Sequence, residues 1–201
     1  SVKEKKMEVF DLESDVIIYD VKQKEILSKA SIITKDHFET FPSFSPDGKW
    51  LYFCTAPAQS MPDNYNNIRY NLCRVAFDAE RKEIIHPIDT LVHADRLSST
   101  LPRISPNGRF LMYTETAYGQ FPIWHTGAEL RMIDLEKKEQ VDMSQINSPD
   151  TESYHSWSSN SEWVVFSSRR DNGLYTLPYI CCIGEDGKPA KPFLLPQKDP
   201  N

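Results

Sequence analysis

One hairpin pattern occurs three times in this sequence, and it restricts the fold more than any other feature. The copies read FPSFSPDGKWLYF at 41–53, LPRISPNGRFLMY at 101–113 and YHSWSSNSEWVVF at 154–166. Each copy contains an apolar strand end, a serine, a three-residue turn and a second apolar strand. A unit that recurs in this way predicts a repeat architecture, in which neighbouring units bury each other's faces.

The turn residues explain why each copy should form a hairpin. Pro46 and Pro106 preset φ for the second position of a type I turn, and Gly48 and Gly108 accept the left-handed conformation that closes it. The third copy has Ser-Asn-Ser instead, and Asn160 is the residue there that best tolerates a left-handed φ. We therefore expect three hairpins, with the turn type least certain in the third.

Each hairpin is followed by two further strands around a charged turn, so the unit has four strands. The second hairpin strands, KWLYFCT, RFLMYTE and EWVVFSS, are apolar on both faces, which indicates burial from two sides. The later pairs read RYNLCRVAFD with IIHPIDTL, ELRMIDL with QVDMSQI, and LYTLPYICCI with AKPFLLP. Four antiparallel strands make the blade of a β-propeller. The predicted fold class is therefore all-β, with about three full four-stranded blades.

The predicted blades span 41–91, 101–146 and 154–196, and a partial N-terminal blade spans 1–34. SDVIIYDVKQKEILSKASII matches the second half of a unit, and KMEVFD before it could add one strand. A propeller ring closes to remove its edges. We therefore expect either a piece of a larger ring, a tight four-bladed ring, or an arc whose open edge is covered by another chain or by self-association.

Charge and composition exclude several classes of function. The net charge is −6, and the basic residues are scattered, so nothing predicts binding to nucleic acid. The longest apolar runs fall far below the roughly 18 residues that span a bilayer. The four cysteines form no Cys-x-x-Cys pair, and Cys54 and Cys73 lie on strands predicted to be neighbours. They could form a disulfide if they faced alike; two buried thiols are the simpler expectation.

The motifs FSPDGKWLYF, ISPNGRFLMY and WSSNSEWVVFSSRRDNGLYTLPYI resemble the TolB-type β-propeller repeat, a WD-repeat-like family of Gram-negative envelope proteins. The resemblance is strongest to TolB-like proteins of Bacteroides-type bacteria and covers roughly residues 15–196. In the third unit, Ser168, Arg170, Asp171, Gly173 and Tyr175 carry the family's Ser-x-Arg-Asp-Gly stretch, with one residue inserted before the glycine. The resemblance implies a periplasmic or envelope location, although residues 1–10 show no signal-peptide pattern.

The first two units depart from that pattern, with TAPAQSMPDNYNNI and TAYGQFPIWHTGA where the short turn would be. In a propeller these loops share one face with the connections between blades. The ligand-binding candidates on this face are Tyr118, Phe121, Trp124, His125, His93, Arg96, Arg169, Arg170 and Asp171. Exposed aromatic residues are typical of protein or glycan interfaces, but Phe121 and Trp124 could instead form a small core under their own loop. For Arg170 and Asp171, a salt bridge that fixes the turn is the favoured interpretation.

The leading functional hypothesis is a non-catalytic platform that binds a protein or glycan. The sequence contains no Gly-x-Ser-x-Gly motif, and neither a cofactor nor a metal is expected. The alternative is an enzyme-associated propeller. It would be either a lyase-type ring, with His37, His93, His125 or His155 as weak candidate ligands beside carboxylates, or the gating domain of a peptidase.

Overall fold

The computed structural model describes residues 8–196 and 198, whose regular secondary structure is almost entirely antiparallel β-sheet. The strands are β1 Tyr19–Asp20, β2 Glu25–Ile26, β3 His37–Phe44, β4 Trp50–Pro57, β5 Asn71–Asp78, β6 Glu83–Val92, β7 Ser98–Ile104, β8 Phe110–Thr116, β9 Glu129–Asp134, β10 Glu139–Gln140, β11 Glu152–Trp157, β12 Trp163–Ser168, β13 Leu177–Cys182 and β14 Phe193–Leu194. Short 3₁₀ helices span Ser28–Ala30, Tyr65–Asn67 and Pro122–Trp124. No helix among the described residues is long and apolar enough to cross a membrane.

Three sheets have four strands each, in the order in which the strands occur along the chain. They are β3–β6, β7–β10 and β11–β14, and β1 pairs with β2 in a two-stranded sheet. The all-β, propeller-type architecture is therefore confirmed, with three blades and a partial one. The partial blade is extended by an isolated bridge between Val16 and Ile32.

The core lies between the blades, because each central strand is apolar on both faces. Leu51 and Phe53 pack against the partial blade, whereas Tyr52, between them in sequence, packs against Leu111 and Tyr113 of the second blade. The other face of the second blade, including Phe110 and Met112, packs against Val164 and Phe166 of the third. The alternating side-chain directions of a strand thus serve two interfaces at once.

The outer face of the third blade has no such cover among the described residues. Trp163 and Val165 occupy the repeat positions of Phe110 and Met112, which are 3% and 0% exposed, yet both are only half-buried. Tyr154 on the same blade is 42% exposed. The outer face of the third blade is therefore the same kind of apolar surface that is buried at the two interfaces between blades.

The repeated serine holds each hairpin turn together in the same way. The Ser45 hydroxyl donates to the Asp47 carboxylate (2.6 Å) and accepts from the Trp50 backbone N–H (3.0 Å). Ser105 and Ser158 make the corresponding bonds in the other two turns. The serine thus satisfies a backbone donor that the turn would leave unpaired.

Two expectations about the hairpins are wrong. In the third turn, Ser161 takes the left-handed conformation (φ 65°), because Asn160 is held in the position of Asp47 by the hydroxyl of Ser158. Phe41, Leu101 and Tyr154 do not begin the first strands, which start at His37, Ser98 and Glu152. They lie at bulges inside those strands, with φ of 52°, 57° and 50°. The bulge lets one strand carry an extra residue against its partner.

Cys54 and Cys73 lie on paired strands, as expected, but their thiols are free. Cys73 faces the partial blade, and Cys54 packs in a separate cluster with Phe38 and Tyr70. Burial raises the pKa of both thiols. They act as small apolar side chains.

Candidate functional site

The two loops that break the repeat meet on one face of the molecule. They span 58–70 after β4 and 117–128 after β8. The backbone N–H of Gly119 donates to the carbonyl oxygen of Ile68 (3.0 Å), and its carbonyl oxygen accepts from the buried hydroxyl of Ser98 (2.6 Å). The loops are therefore fixed to each other and to the inner strand of the second blade. We call the depression between them the loop groove.

Tyr118 lies at the centre of the loop groove. Its ring centroid is 4.4 Å from that of His125 and 5.9 Å from that of Tyr65, which it meets edge-on. The Arg69 guanidinium lies 5.7 Å from the same ring. Burial, together with a hydrogen bond to Glu8, raises the pKa of Tyr118 to about 12. The phenol is therefore a stable hydrogen-bond donor at neutral pH.

His125 is held between two polar partners. Its Nδ1 lies 2.8 Å from the Thr116 hydroxyl, and its Nε2 lies 3.5 Å from a carboxylate oxygen of Glu8. The carbonyl oxygen of His125 accepts from Thr151 (2.7 Å), which fixes the loop against the third blade. The imidazole is 9% exposed and is directed toward an acidic group. This arrangement can recognise a carboxylate.

Residues 8–11, Glu-Val-Phe-Asp, line the loop groove together with the two loops. Glu8 accepts from the Tyr118 hydroxyl (2.7 Å), and the Asp11 carboxylate accepts from the Gln120 amide. The sequence allows KMEVFD to add one strand. Residues 6 and 7 lie outside the described residues, and 8–11 form no strand because their side chains bind the loops instead. That expectation is wrong for 8–11.

Phe121 and Trp124 are both half-buried, so they are neither fully exposed interface residues nor a buried core under their own loop. Phe121 meets Phe41 of the first blade edge-on, with centroids 5.9 Å apart. Trp124 lies under the Arg169 guanidinium at 5.2 Å, and Arg169 also donates to the carbonyl oxygen of Ile123 (3.3 Å). These contacts connect the loop to its neighbours while leaving part of each ring open.

Arg170 and Asp171 make contacts within the third blade. Arg170 donates to the carboxylate of Glu152 (3.1 Å) and to the carbonyl oxygen of Ile146 (2.6 Å). Asp171 accepts from the Tyr179 hydroxyl (2.7 Å). The expectation of an ion pair between Arg170 and Asp171 is therefore wrong: Arg170 pairs with Glu152, and Asp171 binds Tyr179. The two side chains hold the turn in place.

The remaining candidates are dispersed. His93, Arg96 and His37 are exposed, and His37 begins β3. His155 is buried, and its Nε2 lies 3.1 Å from the carbonyl oxygen of Met112. Burial lowers the pKa of His155 to about 4. Within residues 8–196 and 198, no group of three or more His, Cys, Asp or Glu residues could hold a metal ion.

Sequence reasoning missed four residues that line the loop groove, Glu8, Phe10, Asp11 and Gln120, and it missed Thr116, which holds His125. The only local signal was the pair of carboxylates that flank an aromatic residue in Glu-Val-Phe-Asp. Contacts between residues more than a hundred positions apart leave no periodic pattern in the sequence.

No family model and no curated protein matches the sequence. Among solved structures, it is similar to a Mycobacterium tuberculosis puromycin-hydrolyzing peptidase, with a TM-score of 0.55 and 18% identity over 81% of this chain. A puromycin hydrolase matches with a TM-score of 0.52 and 16% identity over 83%, and the tricorn protease with 0.51 and 12% over 87%.

The chain spans only about a quarter of the first two structures (24% of each) and 16% of the third. At these identities the likeness concerns the fold alone.

Proposed function

We propose that this chain is a propeller segment that binds a protein ligand at its loop groove. The observation that carries the proposal is that the loops which interrupt the repeat bring partly open aromatic rings together beside hydrogen-bond donors. Tyr65, Tyr118 and Phe121 supply the rings, and His125 and Gln120 supply polar groups. Aromatic residues with fixed polar neighbours are typical of interface hot spots.

We prefer a protein ligand to a glycan because residues 8–11, a segment of polypeptide, already line the loop groove and bind its side chains. The TolB-like family and an envelope location remain part of this proposal. They are supported by the Ser-Pro-Asp-Gly and Ser-Ser-Arg-Arg-Asp-Asn-Gly motifs of the sequence.

The second candidate is an enzyme-associated propeller, and the observation that favours it is the similarity of the fold to two puromycin-cleaving enzymes and the tricorn protease. In that case the chain would form part of a ring attached to a peptidase domain. The coding sequence on either side of these residues tests this candidate directly: an adjoining hydrolase domain would favour it. The lyase-type ring has no comparable support.

A peptide library tests the binding proposal. Phage that display random dodecapeptides are selected on the immobilised chain and counted on a Tyr118→Ser/Phe121→Ser variant. The control, Tyr19→Ser/Phe193→Ser, removes exposed aromatics from short strands outside the loop groove; Tyr19 is 52% and Phe193 48% exposed. We expect selected peptides to lose binding to the first variant and to keep it on the control. Equal retention on both variants, with unchanged circular dichroism, would exclude the loop groove as the binding site.

A further inference from the structure

Residues 8–11 occupy the loop groove in the manner of a bound peptide. They join no sheet, and they contact the groove through side chains. Phe10 stacks on Tyr65 with centroids 6.0 Å apart. On either side of it in sequence, Glu8 and Asp11 each accept a hydrogen bond from the 117–128 loop.

The groups around this segment are complementary to its charge. The Glu8 carboxylate meets the Tyr118 hydroxyl at 2.7 Å and the His125 Nε2 at 3.5 Å. Hydrogen bonds to a charged acceptor are stronger than neutral ones, so these donors select for acidic side chains. The groups that make these contacts follow the pattern acidic, x, aromatic, acidic along residues 8–11.

The loop groove also has a capacity that residues 8–11 leave unused. Gln120 is 3% exposed, its amide nitrogen binds Asp11, and its amide oxygen has no partner among the described residues. A buried acceptor without a donor costs about 1–3 kcal/mol. An N–H group that reached this oxygen would remove that cost.

We propose that the loop groove recognises acidic peptides with the pattern acidic-x-aromatic-acidic in a partner protein, and that residues 8–11 are an intramolecular occupant which such a peptide displaces. This inference rests on the proposed function and specifies its ligand. A tethered segment competes at an effective concentration on the order of millimolar, so the intact chain responds only to a partner that outcompetes it.

The test uses a full-length variant whose own segment is weakened, Glu8→Gln/Phe10→Ala/Asp11→Asn. The probe is a fluorescein-labelled heptapeptide with the sequence of residues 7–13, MEVFDLE, and binding is measured by fluorescence anisotropy. We expect saturable binding to the variant with an affinity at least tenfold higher than to the unmodified chain. The peptide MQVFNLE is the matched control, and we expect it to bind at least tenfold more weakly.

A further substitution, Tyr118→Phe in the same variant, removes one hydroxyl and should lower the affinity for MEVFDLE about tenfold. Failure of a folded variant to bind, or equal affinity for both peptides, would overturn the inference. If library peptides still bound through the loop groove, the proposed function would stand and only its acidic specificity would fail. If they did not, both would fail.

Discussion

Replacing Glu152 by alanine should be among the most destabilising single changes in the molecule. The Glu152 carboxylate is fully buried at the start of β11. It accepts from the Ser148 backbone N–H (3.0 Å) and hydroxyl (2.6 Å), from the Ser168 hydroxyl (2.9 Å) and from Arg170 (3.1 Å). One side chain thus connects the loop before the third blade to the end of β12 and to the turn after it.

The magnitude follows from what the substitution leaves behind. Removing one partner of a buried ion pair costs about 3–5 kcal/mol, because the other charge stays buried without compensation. Arg170 keeps its bond to the carbonyl oxygen of Ile146, which places the expected loss toward the lower end of that range. Arg170→Ala should cost less, because Glu152 would retain three donors. The double variant should lose about 1–3 kcal/mol less than the sum of the two single losses, because the two side chains contact each other.

Urea unfolding followed by tryptophan fluorescence measures these losses, because the chain has four tryptophans. The matched control is Glu83→Ala, which breaks a looser pair with the exposed Arg81 (3.8 Å) and should cost no more than about 1 kcal/mol. If Glu152→Ala cost as little as the control at the same slope with urea, the idea that this carboxylate holds the third blade would be refuted.

Three further predictions concern stability and reactivity. Gly187→Ala should lower the free energy of unfolding in urea more than Gly48→Ala does. Both glycines have positive φ, but a Cβ at 187 would lie 2.7 Å from Phe110, whereas a Cβ at 48 would meet nothing within 4 Å. Equal losses would show that the contact with Phe110 has no effect. The pKa of His155 in the folded chain is about 4, below the ordinary 6.5. Its contribution to stability is therefore complete above pH 6.5 and is lost, by about 3 kcal/mol, as the pH falls toward 4. The stability of His155→Gln should fall less over that interval, and an identical pH profile would contradict this. Ellman's reagent should label the half-buried Cys182 before the other three thiols, which are buried, and simultaneous labelling would count against the packing described.

The blades could be predicted because their information is local. A Pro-Asp-Gly or Pro-Asn-Gly turn between apolar strands specifies a hairpin within about ten residues of sequence, whatever surrounds it. A serine recurs at 45, 105 and 158, but the sequence alone did not show that its hydroxyl holds the turn. The third turn shows the limit of this reasoning, since Ser161 is left-handed only because Asn160 is held by another side chain.

The bulges in the first strands could not be predicted in the same way. Phe41, Leu101 and Tyr154 share a left-handed φ that residues of their type rarely adopt, and nothing in their identity marks it. The surrounding pairs impose the conformation, because each strand must pair with its hairpin partner on both sides of the extra residue. Only the coincidence of the three positions in the repeat carried a signal.

The difference between Arg170 and Tyr118 shows why a motif can mislead about function. Arg170 follows β12 in the third copy of the repeat, and its guanidinium fixes the blade through Glu152. Tyr118 lies in an insertion that departs from the repeat, and it meets an acidic segment from the far end of the chain. Residues that the repeat requires are occupied in building it. The departures from the repeat are therefore where side chains remain for the binding that we propose.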